Sequence, residues 1–131
     1  MSDTETPPPG TIIWHDLTVA NADGLRDFYA DVTGWEPSSV AMGDYNDFNM
    51  NSRTTGQPVA GICNARGSNA ELPPQWLIYI TVEDVAASAS KCEALGGKVL
   101  VGPKGMGTYG RYCVIQDPAG AVAALFTPAS K

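Results

Sequence analysis

The sequence predicts an α+β protein built from two tandem βαβββ modules that wrap one shared cavity. A repeat is the first sign: Leu17-Thr18-Val19-Ala20-Asn21 is echoed by Ile80-Thr81-Val82-Glu83-Asp84, and 80 − 17 gives an offset of 63. The same offset carries Gly34 onto Gly97 and Val59-Ala60-Gly61-Ile62 onto Val122-Ala123-Ala124-Leu125, with no gap needed between those anchors, as in a duplicated unit. Element order is the second sign, because each half reads as one strand, one helix and three further strands. Turn chemistry is the third, since caps and turn formers fall where that order needs them.

Thr11 to Ala20 reads as the first strand, β-branched and aromatic. Asn21 suits a helix N-cap, and Asp23 puts negative charge in the first turn, where the helix dipole favours it. Leu25, Phe28, Tyr29 and Val32 then recur at i, i+3, i+4 and i+7, which predicts one core-facing stripe. Gly34 stops the helix in the position that tolerates left-handed geometry. Trp35 to Met42, Tyr45 to Asn51 and Pro58 to Asn64 read as short strands. Residues 65–75, with paired prolines, read as the linker between halves. In the second half Trp76 to Glu83 is a strand, and Asp84 caps a helix with the stripe Val85, Ala89, Cys92, Leu95. Gly96-Gly97 ends it, and Lys98 to Val101, Arg111 to Gln116 and Ala121 to Phe126 follow as strands. Asp117-Pro118-Ala119-Gly120 has the pattern of a type I turn.

Bulk properties narrow the function. A chain of 131 residues with 44% hydrophobic content can bury a core as one domain. A net charge of −6, with the basic residues scattered, argues against nucleic acid as a partner. No run approaches the ~18 apolar residues of a membrane span. Residues 1–10 are polar and proline-rich, read as a disordered tail, and show no signal-peptide pattern. Cys63, Cys92 and Cys113 are odd in number and irregularly spaced, so no disulfide framework is expected, and a reducing cytoplasm is the expected location.

Two βαβββ units of this size, with Phe28-Tyr29 late in the first helix, Gly34-Trp35 after it and Asp117-Pro118-Ala119-Gly120 near the end, resemble the vicinal oxygen chelate superfamily. That group holds glyoxalases, extradiol dioxygenases and bleomycin-resistance proteins, and the chain's tail is most similar to a bacterial glyoxalase-like or hydroxylase-like branch. The resemblance implies a curved, barrel-like eight-stranded mixed sheet around a cavity, with the helices outside. It implies a single domain over 11–127, with module one at 11–64 and module two at 76–127. It also implies metal ligands on the first and last strand of each half, at positions that fall on Trp14, Leu77, Gly61 and Ala124. None of these four side chains is an imidazole, carboxylate or thiolate, so no metal and no other cofactor is expected. In this superfamily the cavity is sometimes completed by a second chain, and exposed apolar residues such as Val40 and Met42 would suit a homodimer.

Strand parity sorts the candidate residues. Trp14, Asp16 and Thr18 share one face of the first strand and should line the cavity; Ile13, His15, Leu17 and Val19 share the other. Asp16 is the candidate base, against a structural reading in which it bonds Tyr79, Thr81, Arg111 or a backbone amide. Cys63 shares parity with Gly61 and reads as a cavity-lining thiol or a small buried hydrophobe. Trp14, Trp35, Tyr45, Phe48, Trp76, Tyr79, Tyr109 and Phe126 could form an aromatic wall suited to a flat ligand, although most would serve equally as ordinary core. Thr81 and Arg111 complete the expected binding set with Leu77 and Ala124. His15 could ligate a metal only if the strand register slipped by one residue. Gly105-Met106-Gly107-Thr108-Tyr109-Gly110 matches G-x-G-x-x-G, but a strand follows it, so a flap is expected rather than a dinucleotide loop. The leading expectation is metal-independent binding of a small hydrophobic or aromatic molecule, of sequestration or resistance type. The alternatives are a cofactor-free lyase, isomerase or hydroxylase-type enzyme with Asp16 as base, and a metal-dependent glyoxalase or dioxygenase using His15.

Overall fold

The computed structural model describes residues 7–66 and 70–129. Residues 1–6 of the expected tail and 67–69 of the expected linker lie outside the described residues. From Pro8 onward the chain is tied down: Thr11 N donates to Pro8 O and Gly10 N to Thr81 O, at 3.2 and 2.7 Å.

The chain divides into two compact units, Trp14–Trp76 and Met1–Ile13 with Leu77–Lys131. In the first, β1 (Ile12–Val19) leads into α1 (Ala22–Thr33), then β2 (Glu36–Ala41), β3 (Asn46–Asn51) and β4 (Pro58–Asn64). Its sheet runs β2-β3-β4-β1, antiparallel except for the β4–β1 pair. In the second, β5 (Trp76–Thr81) leads into α2 (Val85–Ala94), then β6 (Lys98–Gly105), β7 (Gly110–Gln116) and β8 (Val122–Pro128). That sheet runs β5-β8-β7-β6, with β5–β8 the parallel pair. This is the βαβββ order twice, in an α+β protein.

The duplication is visible in the pairing. Asp16 opposes Gly61, Leu17 opposes Ile62 and Thr18 opposes Cys63; Tyr79 opposes Ala124, Ile80 opposes Leu125 and Thr81 opposes Phe126, each shifted by 63. The middle strands break the ungapped expectation. Phe48 opposes Ile62 while Cys113 opposes Leu125, and 113 − 48 is 65, so two residues are inserted before β7 and recovered in the turn after it. A two-residue shift keeps every side chain on its own face, which is why the sheet tolerates it.

The caps follow the residues. Asn21 Oδ1 accepts from Gly24 N at 3.1 Å, and Asp84 Oδ1 accepts from Ala86 N and Ala87 N. Gly34 ends α1 at φ 81°, ψ 7°, its N–H returning to Ala30 O. In the Asp117–Gly120 turn, Gly120 N donates to Asp117 O while Asp117 Oδ1 accepts from Ala119 N and Ala121 N.

Three expectations are corrected. The α1 stripe lies one flank away from the predicted one: Ala22, Leu25 and Tyr29 face Leu17, Val19, Phe48, Met50 and Ile62, while Phe28 and Val32 are 54% and 64% exposed. Small Ala22 sits against the sheet at 1% exposure, and the larger flanking residues stay at the rim, Phe28 packing only edge to face on Tyr29. On α2, Val85 and Ala89 pack on Cys113 and Leu125, but Leu95 is the C-cap and stands 77% exposed. Strand β6 runs past Val101 to Gly105 despite Pro103, because it is the edge strand of its sheet and its ladder shifts on either side of Val101. The glycine-rich segment after it closes a hairpin into β7, with Met106 N donating to Gly110 O, so no helix N-terminus is offered to a phosphate.

Candidate functional site

Strand β1 separates two environments by alternation. Leu17 and Val19 enter the core under α1, and His15 shares their face. Trp14, Asp16 and Thr18 project to the far face of the sheet, away from the helix. The parallel register sets Asp16 beside Gly61 and Thr18 beside Cys63.

Trp14 Nε1 donates to Asp16 Oδ1 at 2.9 Å, and Cys63 Sγ donates to the same oxygen at 3.8 Å. Gly61 makes this possible: a Cβ there would overlap Asp16 Oδ1. The carboxylate therefore occupies the space that a side chain at 61 would fill. Burial pushes the Cys63 thiol well above the ordinary thiol range, and the Asp16 and Asp47 carboxylates push it further. This thiol stays protonated at neutral pH and is a hydrogen-bond donor, not a nucleophile. Asp47 is fixed by Asn64, whose backbone N and Nδ2 both donate to Asp47 Oδ1 at 2.9 Å, and Asn49 opposes Gly61 on the same face.

In the second unit the equivalent far-face positions hold Leu77, Tyr79, Thr81 and Ala124, all buried, with Phe126 half-buried. The other expected residues are distributed differently. Phe48 packs in the α1 core with the Arg26 guanidinium 4.7 Å over its ring, and Arg66 stacks 3.9 Å over Tyr45. Arg111 opposes Thr127 and shares the helix-side parity of Cys113, and Tyr109 sits in the β6–β7 turn, 75% exposed.

A second hollow lies on the helix side of the first unit, and Trp35 and Trp76, expected in the wall of the shared cavity, line this hollow instead. The left-handed turn at Gly34 brings Trp35 back against Tyr29 and Trp76, with ring centroids 6.1 and 6.0 Å away. Trp76 Nε1 donates to Tyr29 OH at 3.1 Å and locks the pair edge to face. With His15, Val59 and Ala60 these rings line a cavity of about 290 Å³. His15, Tyr29, Val59 and Ala60 are not part of the expected wall. The parity that turns His15 toward α1, combined with the Gly34-Trp35 turn, was the signal that pointed there.

This chain belongs to the Glyoxalase/Bleomycin resistance protein/Dioxygenase superfamily, whose family model matches residues 11–125. Among its relatives, "Putative glyoxylase CFP32" of Mycobacterium tuberculosis is 31% identical over 92% of this chain and 45% of its own length. The anthracycline biosynthesis protein DnrV of Streptomyces peucetius is 28% identical over 90% of this chain and 47% of its own length. The chain thus spans about half the length of the curated relatives it matches. Among solved structures, methylmalonyl-CoA epimerase of Streptomyces coelicolor aligns at a TM-score of 0.59 with 17% identity, over 94% of this chain and 100% of that one, a likeness of fold.

Metal-dependent members of the superfamily would draw ligands from the positions of Trp14, Gly61, Leu77 and Ala124. The donor set here does not fit a divalent ion. The indole N–H is a donor already spent on Asp16, Gly61 has no side chain, and Leu77 and Ala124 are hydrocarbon. Among the described residues no three His, Cys, Asp or Glu side chains converge closely enough to hold a metal. His15 faces the aromatic cavity, whose lining contains no carboxylate or thiol. Among the same residues no helix is long and apolar enough to cross a membrane.

Proposed function

We propose that the Asp16 face binds a flat, largely apolar small molecule without a metal ion, in a sequestering or carrying role. The observation that carries this reading is the Trp14–Asp16–Gly61 arrangement: a carboxylate, held by an indole N–H, sits where a metal-binding relative would need a ligand side chain. An aromatic plane beside one fixed acceptor suits a ring system that bears a hydroxyl or amine donor. The similarity to a protein of anthracycline biosynthesis supports a polycyclic aromatic ligand. Titration with an anthracycline, followed by its visible fluorescence, should give the same affinity in EDTA and in excess Mn(II), and Trp14→Ala should weaken it at least tenfold. Binding that appears only with added metal, or that ignores Trp14→Ala, would remove this reading.

A second reading makes the same carboxylate the base of a cofactor-free lyase, isomerase or hydroxylase-type enzyme. It is favoured by the way Asp16 Oδ1 gathers two donors, which fixes the carboxylate in place before a substrate arrives. Asp16→Asn should then abolish turnover while leaving ligand affinity within a few-fold; undiminished turnover would eliminate the reading.

A further inference from the structure

The helix-side cavity is made by one unit alone and stands on the opposite face of the sheet from Asp16. We infer that it is a second binding site, one that takes an uncharged aromatic ring of one or two fused cycles carrying a single hydroxyl, as in a phenol or naphthol. Its size, about 290 Å³, sits at the lower end of small-molecule sites and suits a compact ring better than a polycyclic one. Its shape is set in advance. The Trp76–Tyr29 hydrogen bond and the Gly34 turn hold Tyr29, Trp35 and Trp76 with ring pairs at 84°, 35° and 70°. An entering ring can extend the same edge-to-face packing without rearranging them.

The lining also says what is refused. No Asp, Glu, Lys or Arg stands in the lining, and His15 is its one side chain with ring nitrogens besides the two indoles. An anion or a cation would therefore lose its hydration with no fixed counter-charge. The imidazole offers one donor or one acceptor from an exposed position, enough to meet a single hydroxyl. The ring buries against indole and phenol carbon while its hydroxyl meets His15. This site does not depend on the reading of the Asp16 face, because neighbouring residues of β1 point to opposite sides.

The three indole N–H resonances of the full chain report the two faces separately, with Trp35 and Trp76 on this side and Trp14 on the other. Titration with 2-naphthol should move the Trp35 and Trp76 signals and leave Trp14 in place. His15→Leu should keep the binding of naphthalene but reduce the preference for 2-naphthol over naphthalene about fivefold, the worth of one neutral hydrogen bond. Ala60→Leu, which fills the floor, should abolish both. Shifts confined to Trp14 would overturn the inference and leave the Asp16 reading standing. So would Trp35 and Trp76 signals that respond to protein concentration and not to 2-naphthol, the mark of a second copy covering the hollow. An unchanged naphthol preference in His15→Leu would equally overturn it.

Discussion

In the first module Asp16 lies opposite Gly61; in the second Tyr79 lies opposite Ala124, at the same step of the same parallel ladder. Around the first pair the far face carries a thiol, a second carboxylate and an amide, in Cys63, Asp47 and Asn49. Around the second it carries Leu77, Val101, Val114 and Tyr112, every one buried. The helix-side faces did not diverge in this way: Ile62 packs under α1 and Leu125 under α2, one at each corresponding position. The two modules match on the side of the sheet that holds the helix and differ on the other, which is polar in the first module and largely apolar and buried in the second.

The contrast can be broken most severely at its apolar end. Ala124→Asp buries an unpaired charge at a site with no exposure and should cost more than ~4 kcal/mol, or prevent folding, as read by urea denaturation. The conserved side should respond symmetrically, with Ile62→Ala and Leu125→Ala each losing about 3 kcal/mol; a difference above about 2 kcal/mol would show that the two helix faces are not equivalent. Gly61→Ala should cost about 1–2 kcal/mol by displacing the Asp16 carboxylate, and the Trp14 indole N–H should move upfield as its acceptor leaves.

Alkaline pH sharpens the contrast further. The folded Cys63 thiol holds its proton above the ordinary value of 9.0, so the unfolded chain releases that proton first. The native state then binds more protons than the unfolded one, and stability falls as pH rises beyond about 9. Cys63→Ala should make that fall shallower in urea titrations between pH 8 and 10. Some slope remains, because burial also raises the Cys113 thiol, to about 11. The smallest effects belong to the exposed apolar residues: Val32→Ser and Leu95→Ser should each stay within about 0.5 kcal/mol of the parent chain.

Much of this was legible in the chain itself. Asn21, Gly34, Asp84 and the Asp117–Gly120 turn act through local backbone chemistry, and each does what its residue type requires. The parity of β1 was legible too, because Leu17 and Val19 have only one apolar side to face. What escaped depended on distance in space. The exposure of Phe28 and Val32 follows from which flank of α1 is set against the sheet, which the periodicity alone does not encode. The passage of β6 through Pro103 depends on its having a neighbour on one side only. The second aromatic hollow needed Trp76, which follows the linker in sequence, to meet Tyr29 and Trp35 from before it.

His15 and Asp16 are neighbours in β1 with unrelated obligations. In a set of relatives, changes at 15 should co-vary with positions 29, 35 and 76, and changes at 16 with 14, 61 and 63. A backbone one residue thick serves as a party wall, and each tenant can refurbish without consulting the other.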